Sequence, residues 1–591
     1  MVQRNDRIEW PAVVIFGLGA LSVLVLRGWV VPSGGPFFSD TDDAMRLVRV
    51  RDLLAGQDWY DWTQHRLNTP FGADIHWSRL IDAPLAALLW LFERLGVARP
   101  DIWVGHVWPL GLFALLMLVS ALLCRRLAGP WGVLPGVVLP ALSPAVTAEF
   151  MPGRIDHHNV QILITLALAW ALVESLRRPG FAVLAGLLAI SGLAIGTEAL
   201  PQVFAAILAL GLVFVFHPAG PAVLWRFGAA MALGAVAHQL IAHPQARWFE
   251  AACDAYSLVY AAAGGVVGIG MIGLALSAPL LRGPWPRLAA GLVLAIAGGG
   301  GLLLAFPQCL AGPYGNLEPW LVDNWINAIS EAKPWIASLA DLPAYTIAVG
   351  IPPLLGGALM VVAAVRERRD RAEWLVLLGM LAVAALVMLT QVRGARLATM
   401  PAIPAAAWLI VISRTAVLDG RRILGNLGLL LGWLGFAGML VVAGVNAVVT
   451  HLPGRATEVM AARGERALCL APEAFDALND LAPTRLLAPI DLGSHILLET
   501  EHAVMAAPYH RNQQGVLDTF NAFNRPAEDA LALLEARGIT HVVVCDAMAE
   551  MRGLADAAED SLVRQLAENR HPDWLEPLAG DGKLRLFALR P

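Results

Sequence analysis

Long apolar stretches alternate with short polar junctions over the first 450 residues of the chain. A helix needs about 20 predominantly apolar residues to cross a bilayer. Stretches of about this length lie at 10–31, 103–123, 130–149, 159–176, 181–199, 201–217, 224–243, 261–281, 288–306, 344–365, 373–391, 397–413 and 424–449. The pattern predicts an α-helical polytopic membrane protein with about thirteen transmembrane helices.

The pattern changes after residue 450, where charged residues become common and short apolar runs alternate with amphipathic helical segments. The predicted strands are Arg466–Leu470, Arg485–Pro489, Thr540–Cys545 and Lys583–Leu589, and the predicted helices are Pro472–Leu481, Ala527–Arg537 and Glu559–Glu568. We therefore expect two domains, a membrane domain over residues 1–450 and a soluble α/β domain over residues 451–591.

Composition and charge agree with this division. The 591 residues are 57% hydrophobic and only 15% charged, which excludes an ordinary soluble protein, and we expect no nucleic-acid partner. Basic residues stand at every second junction, beginning with Arg4 and Arg7 ahead of the first apolar run. Under the positive-inside rule this predicts an inner-membrane protein with a cytoplasmic N-terminus and a periplasmic C-terminal domain.

The five cysteines show no spacing typical of metal ligands. Cys124 and Cys253 are expected to be thiols in the membrane or in a loop. Cys469 and Cys545 can form a disulfide if the C-terminal domain is extracytoplasmic, and two free thiols are the alternative.

The segment Gly153–Asn159 places an acid and two imidazoles, Asp156-His157-His158, between two apolar runs. Ionisable groups at membrane depth cost several kcal/mol unless they line a wet cavity or bind something. Asp156 and His158 are two residues apart, so on an extended backbone they point the same way, and Mn²⁺, Mg²⁺ or Zn²⁺ can use such a pair. The alternative is a solvated loop with a histidine cap.

Other candidate residues lie on the outward loops. Asp40, Asp42 and Asp43 precede a helical pattern, and N-capping accounts for one or two of these three acids. A remaining carboxylate beside Asp156 and His158 would complete a divalent-metal site that can hold a substrate's phosphates.

The long loop 307–343 carries Glu331 among three tryptophans, Trp320, Trp325 and Trp335. The tryptophans suit a platform for sugar or lipid, or a plain interfacial helix. Arg393 and Arg396 lie on an outward turn, against the orientation rule, which snorkelling or a bound phosphate would explain.

Two polar clusters stand out in the C-terminal domain, Asp491–His495 and Pro508–Asn512. Both are predicted to be loops that end strands and overhang the membrane surface. The pair His510-Arg511 suits an anionic or polyhydroxylated partner, and the alternative is that these are loop residues of a folding scaffold.

Taken in order, these elements resemble a family. Asp42 ahead of a helix ending in Arg51-Asp52-Leu53-Leu54, then Asp156-His157-His158, Ile329-Ser330-Glu331 and Arg396 resemble the catalytic subunit of oligosaccharyltransferases. Those enzymes are GT-C glycosyltransferases with thirteen spans and a C-terminal extracytoplasmic domain. The resemblance covers about 450 residues.

The resemblance implies roles for single residues. Asp42 would bind the metal and the acceptor, Asp156 and His158 the metal, Glu331 the acceptor, and Arg396 with Arg393 the donor phosphates. The implied metal is Mn²⁺ or Mg²⁺, and the implied reaction inverts the sugar. Further candidate site residues are Asp43, His157, His510 and Arg511.

Two departures concern the acceptor. Ala328 stands where the family has a threonine, and the Trp-Trp-Asp motif that reads a glycosylation sequon is absent. The expected function is transfer of a sugar or oligosaccharide from a polyprenyl-(pyro)phosphate carrier in the membrane to an extracytoplasmic glycan, lipid or protein. The alternatives are a polyprenyl-monophosphate-sugar transferase that modifies lipid or polysaccharide, and a lipid-linked sugar transporter, which would show the pseudo-symmetric halves that this sequence lacks.

Overall fold

The computed structural model describes residues 10–30, 35–449, 464–548, 550–551, 558–578 and 583–590. Within these ranges, nine helices are long and apolar enough to cross a membrane. They are Pro100–Ala128, His158–Ser175, Thr197–Phe216, Gly220–Ala242, Leu258–Ser277, Pro284–Ala305, Pro343–Arg366, Arg371–Thr390 and Val392–Leu418. The prediction of a polytopic helical membrane protein is confirmed.

The remaining predicted spans are broken or short, so the expected thirteen become nine spans, or up to eleven if each bent pair counts as one. The bent pairs are Pro130–Ala141 with Pro144–Phe150, at 61°, and Arg422–Leu434 with Gly438–Val448, at 83°; the short apolar helices are Trp10–Leu26 and Phe181–Ile195. The first bend occurs at Pro144, which cannot donate a backbone hydrogen bond to a preceding turn.

Three of the predicted basic junctions are joined to one another by ion pairs. Arg126 donates to Asp370 Oδ1 at 3.0 Å and to Glu373 Oε1 at 2.6 Å. Arg177 pairs with the same Asp370. The junctions after the second, fourth and tenth predicted spans therefore lie together.

The C-terminal region forms a five-stranded sheet. Its strands are β3 Arg485–Leu487, β4 Ala503–Val504, β5 His541–Val544, β6 Leu575–Leu578 and β7 Arg585–Leu589, in the order β4-β3-β5-β7-β6. β3 runs parallel to β4 and β5, and β7 is antiparallel to β5 and β6. Helices Ile490–Glu499, Gln513–Asn524, Ala527–Ala536 and Leu562–Ala567 connect and cover the strands.

Two predictions in this region are wrong. Residues 464–469 are helical rather than a strand, consistent with the alanine and leucine in that stretch, which favour helix. Asp491–His495 is not a loop but the first half of helix Ile490–Glu499, which buries Leu492 and Ile496. The short strands β4 and β6 were not predicted.

The first outward loop and the C-terminal region share one hydrophobic core. The loop holds helices Thr41–Leu54 and Arg79–Arg94 and a hairpin of β1 Thr63–Gln64 and β2 Ala73–Asp74. Its Leu67 forms a parallel β-bridge with Val504 of β4, and its buried apolar side chains belong to the same cluster as those of the sheet. The predicted boundary between residues 450 and 451 lies outside the described residues.

The loop 307–343 is built of short helices: Pro307–Ala311, Pro319–Asn324, Ile326–Ala328, Ser330–Ala332 and Trp335–Asp341. Leu321 and Trp325 are buried against Val516 and Phe520 of the C-terminal domain. Trp335 donates from Nε1 to the carbonyl of Thr346 at 2.8 Å. Trp325 and Trp335 therefore pack and bond within the protein rather than form an open platform.

Two disulfides are present among the described cysteines. Cys469–Cys545 is one of the two alternatives left open by the sequence. Cys253–Cys309 was not predicted, because Cys253 was expected to be a thiol. It joins the outward loops 244–260 and 307–343. Cys124 is a buried free thiol.

We expect acid to weaken the fold through His495, which is fully buried where the C-terminal domain meets Phe38. Burial lowers the pKa of this imidazole to about 4, although its hydrogen bond to Phe38 opposes the shift. An unfolded histidine titrates near pH 6.5, so between about pH 6.5 and pH 4 the unfolded chain binds a proton that the folded chain does not. Stability should fall across this window by about 3 kcal/mol.

Thermal unfolding of the purified protein at pH 7 and pH 4.5 measures this loss. His495→Gln should flatten the pH dependence, while His571→Gln, at an exposed position, should leave it unchanged. An equal pH dependence in His495→Gln would show that other groups cause the loss.

Candidate functional site

A cavity of about 570 Å³ lies between one end of the membrane helices and the C-terminal domain. Seven of the predicted site residues line it: Asp42, His157, His158, Glu331, Arg393, Arg396 and His510. Asp156 is buried directly behind His157 and His158. The structure thus brings residues from five separate parts of the sequence to one place.

The turn that carries Asp156 depends on Gly153. Its φ is +94°, and a Cβ there would lie 2.2 Å from the carbonyl oxygen of Phe37. Only glycine adopts this conformation readily at so close an approach. The Gly153 amide also donates to the Gly105 carbonyl at 2.8 Å, which anchors the turn to a membrane helix.

Asp43 holds the same turn from the other side. Its Oδ1 accepts hydrogen bonds from the amides of Ile155 at 2.7 Å and Asp156 at 2.8 Å. Its Oδ2 lies 2.8 Å from Arg154 Nη1. Burial raises the pKa of Asp43 to about 7, even though Arg154 favours the charged form. Asp43 therefore positions Asp156, and it does not line the cavity.

The neighbouring acids have different tasks. Asp40 caps helix Thr41–Leu54 by accepting from the Asp42 amide at 3.0 Å, and it pairs with Arg154 at 2.7 Å. Asp42 points into the cavity. Burial, with the neighbouring carboxylates of Asp156 and Asp40, raises the pKa of Asp42 well above its ordinary value. N-capping thus accounts for Asp40 alone.

Asp156 is almost fully buried and surrounded by cationic and imidazole groups. Its Oδ1 accepts from Arg46 at 3.1 Å and lies 2.7 Å from His157 Nδ1. Its Oδ2 lies 3.4 Å from His158 Nε2. Burial alone would raise the pKa of Asp156, but His157, His158 and Arg46 hold it well below its ordinary value, so it stays ionised.

Arg46 is itself fixed in place. Its Nη1 donates to Asp82 Oδ1 at 2.7 Å, and its guanidinium lies 4.5 Å from the centre of the Trp77 ring. Asp82 also pairs with Arg49 at 3.1 Å and Arg79 at 3.2 Å. Burial lowers the pKa of Arg49 to about 9. This buried cluster orients Arg46 toward Asp156.

Several features fit a divalent cation. Asp156, His157 and His158 each offer one ligand atom, and these atoms all lie within 4.8 Å of one another. Asp156 Oδ2 is buried and has no hydrogen-bond partner among the described residues. A buried carboxylate oxygen left without a hydrogen bond is costly unless an ion takes that place. Asp42 lines the same cavity but lies outside this compact group, so its convergence with Asp156 and His158 stays a prediction.

The two predicted arginines also line the cavity. Arg396 Nε lies 3.0 Å from Glu149 Oε1, and its Nη2 pairs with Glu331. Arg393 Nη1 lies 3.9 Å from Glu331 Oε1. Glu331 thus sits against both arginines, where the sequence analysis expected donor phosphates.

The other two candidates, His510 and Arg511, bind an acid of the protein itself. His510 Nε2 lies 2.7 Å from Asp254 Oδ2. Arg511 donates to both oxygens of Asp254, at 2.7 and 3.0 Å. The predicted anionic partner of this pair is, in this structure, the carboxylate of Asp254.

Sequence reasoning missed four residues of the site: Glu149, Arg154, Glu198 and Asp254. Glu198 Oε2 lies 3.3 Å from His158 Nδ1, and Arg154 Nη2 donates to Glu149 Oε2 at 2.8 Å. Glu149 and Glu198 each stand as a lone acid at the outward end of an apolar run. That position is itself a signal of function in a membrane protein.

Comparison with known proteins gives a likeness in structure only. No protein-family model and no curated protein matches the chain. Archaeal oligosaccharyltransferase AglB from Archaeoglobus fulgidus, in complex with an inhibitory peptide and a dolichol-phosphate, is similar at a TM-score of 0.69 and 14% identity. The match covers 98% of this chain and 74% of that one.

A second structure of the Archaeoglobus fulgidus oligosaccharyltransferase, in complex with Zn and sulfate, matches at a TM-score of 0.59 and 14% identity, over 98% of this chain and 73% of that one. ArnT from Cupriavidus metallidurans, bound to undecaprenyl phosphate, matches at a TM-score of 0.40 and 15% identity, over 98% and 97% of the two chains. The last score is too low to support an argument.

The two matches to the Archaeoglobus fulgidus oligosaccharyltransferase confirm, at the level of the fold, the resemblance that the sequence motifs indicated. The chain has the fold of the archaeal oligosaccharyltransferase, a GT-C membrane glycosyltransferase.

Proposed function

We propose that this protein is a membrane glycosyltransferase. It moves a sugar or oligosaccharide from a polyprenyl phosphate or pyrophosphate carrier to an acceptor on the outer face of the membrane. The observation that carries the proposal is the shared cavity: Asp42, His157 and His158 line it together with Arg393, Arg396 and Glu331.

Arg393 and Arg396 are the groups that hold the donor phosphates. Guanidinium groups pair well with phosphate oxygens, and both side chains lie at the outward end of a membrane helix, where a polyprenyl chain can stay in the lipid. Because Arg396 is paired with Glu331 in this structure, donor phosphate must compete with that carboxylate.

The reaction is a displacement at the anomeric carbon. A nitrogen or oxygen of the acceptor bonds to that carbon, and the carbon–oxygen bond to the phosphate breaks, which inverts the configuration. Asp42 and Glu331 orient the acceptor and take up its proton. Arg393 and Arg396 stabilise the negative charge on the leaving phosphate.

Asp42, Asp156 and His158 are the residues that would hold a divalent cation, Mn²⁺ or Mg²⁺. Such a cation, when bound, neutralises charge on the leaving phosphate. Arg46 and Asp43 orient Asp156 for this task, through its Oδ1 and its amide respectively.

The sidedness that we propose places the cavity outside the cytoplasm. Arg126 and Arg177 both pair with Asp370, and all three residues lie at junctions that the positive-inside rule assigns to the cytoplasm. The cavity residues belong to the alternate junctions, which the same rule assigns to the outside. The disulfides Cys253–Cys309 and Cys469–Cys545 lie in the loops and domain assigned to the outside, where thiols oxidise. We propose that residues 1–450 form the membrane domain and residues 451–591 the extracytoplasmic domain.

Removal of divalent cations is expected to abolish transfer. Thin-layer chromatography of a labelled lipid-linked sugar, with purified protein, should show turnover with Mn²⁺ and loss of it with a chelator. Asp42→Asn should lower turnover by about 10²-fold or more, because it removes a ligand and a proton acceptor together.

Asp58→Asn, on the same outward loop but outside the cavity, is the matched control and should keep full turnover. Undiminished turnover in the chelator would favour a metal-independent transferase, the alternative that uses a polyprenyl-monophosphate sugar.

Glu331→Gln is expected to abolish transfer and to leave binding of a polyprenyl phosphate intact or tighter. The substitution removes a carboxylate that acts on the acceptor and also frees Arg396 from its ion pair. Turnover measured by chromatography and lipid binding measured by equilibrium titration separate the two effects.

The matched control is Asp323→Asn, at an exposed position on the same loop. It should change neither turnover nor lipid binding. A parallel loss of donor affinity in Glu331→Gln would instead place Glu331 in the donor site.

The acceptor that we propose is a glycan, a lipid or a protein site without a sequon. Strong selection for a Ser or Thr hydroxyl needs buried polar groups that the wrong substrate leaves unpaired. The sequence has no Trp-Trp-Asp motif. Among the described residues, the C-terminal domain contributes Pro508, Tyr509 and His510 to the cavity, and His510 is engaged by Asp254.

Peptides with Asn-x-Thr and Asn-x-Ala are therefore expected to be labelled to the same extent, or not at all. Membranes containing the protein, incubated with labelled lipid-linked sugar and each peptide, provide the measurement. Selective labelling of the Asn-x-Thr peptide would contradict the proposal and indicate a sequon pocket of different composition.

A further inference from the structure

A second group of metal-ligand side chains lies on the C-terminal side of the cavity. His76, Asp254 and His510 each offer one ligand atom, and these atoms all lie within 4.8 Å of one another. The imidazole rings of His76 and His510 are 4.5 Å apart, centre to centre. The three residues come from the first outward loop, the loop 244–260 and the C-terminal domain, so the group forms only when all three parts are assembled.

The carboxylate in this group is held in a fixed orientation. Arg511 donates to both oxygens of Asp254, at 2.7 and 3.0 Å, and His510 Nε2 lies 2.7 Å from Oδ2. The preceding residue, Cys253, is joined by a disulfide to Cys309. Hydrogen bonds that orient a ligand from outside are typical of metal sites. Arg511 fills this role for Asp254.

His76 supplies an independent observation. Its Nδ1 is buried and has no hydrogen-bond partner in the part of the chain that the structure describes. A buried polar nitrogen without a partner costs about 1–3 kcal/mol.

We propose that His76, Asp254 and His510 form a second divalent-metal site, of the zinc class. Two imidazole nitrogens and one carboxylate oxygen are a common three-residue ligand set for zinc, with water or a substrate group as the fourth ligand. Mg²⁺ and Ca²⁺ prefer sites made of oxygen. Zinc–ligand distances of about 2.0–2.2 Å require only a small closing movement of side chains that already lie this close.

The site would fasten the C-terminal domain to the membrane domain at the edge of the cavity. The His510–Asp254 contact already joins these two parts, and His76 adds the first outward loop. The proposal does not rest on the transfer reaction, because it concerns only the binding of a metal ion by this chain.

The test is the zinc content of the purified full-length protein after stripping with a chelator, reloading with Zn²⁺ and washing in excess Mg²⁺, measured by elemental mass spectrometry. We expect a retained zinc ion that His76→Ala and His510→Gln each reduce by about tenfold or more. His571→Ala, at an exposed histidine, is the matched control and should retain the zinc.

The variant Asp156→Asn tests whether the retained zinc is bound at this site or at the one around Asp156. It should leave the ion bound by His76, Asp254 and His510 in place, and loss of that ion in Asp156→Asn alone would assign it to the other site and overturn the proposal. Equal zinc content in His76→Ala and His571→Ala would also overturn it.

A measurement on the unaltered protein covers the case of a variant that does not fold. Zn²⁺ should raise the thermal unfolding midpoint of the stripped protein, since a ligand that binds only the folded state stabilises it. Failure of the stripped wild-type protein to take up zinc, or to gain stability from it, would refute the site without any variant.

Discussion

The walls of the cavity are held together by one chain of ion pairs centred on Arg154. Its guanidinium lies 2.7 Å from Asp40, 2.8 Å from Asp43 and 2.8 Å from Glu149. Glu149 in turn contacts Arg396, which pairs with Glu331. Charges of alternating sign therefore run without a gap from the first outward helix to the loop 307–343. Removal of Arg154 would leave Asp43 and Glu149 buried and uncompensated, which costs several kcal/mol.

This arrangement explains why several charged residues next to the site do not line the cavity. Asp43 fixes the backbone of Asp156, and Arg46, held by Asp82, fixes its carboxylate. Neither Asp43 nor Arg46 lines the cavity. Asp156 can therefore present a free oxygen toward His158 because its other contacts are made by side chains outside the cavity. The geometry of the candidate metal site therefore depends on the residues packed behind it as well as on the ligand residues themselves.

Hydrophobic periodicity predicted every apolar segment but not where two of them break, because a bend such as the one at Pro144 changes hydrogen bonding without changing hydropathy. The motif residues Asp42, Asp156, His158, Glu331 and Arg396 could be assigned to one face because topology places outward loops together. The residues with which these side chains form ion pairs could not be predicted. His510 and Arg511 were expected to bind an external anion, yet both contact the carboxylate of Asp254, which lies more than 250 positions earlier in the sequence. Such long-range pairs depend on how loops cross in space, which residue spacing does not encode.

Two parts of the loop 307–343 are attached by different kinds of interaction. Leu321 and Trp325 are buried against the C-terminal domain, and separating them would expose apolar surface at about 25 cal/mol per Å². Glu331 is 41% exposed and attached to Arg393 and Arg396 by ion pairs alone among its described contacts. Phosphate can replace a carboxylate on a guanidinium at little cost, whereas nothing in the cavity can replace the apolar contact. A donor phosphate can therefore replace the ion pairs of Glu331. The buried contacts of Trp325 on one side, and the hydrogen bond from the Val392 amide to the Lys333 carbonyl at 2.9 Å on the other, keep the flanking parts of the loop in place.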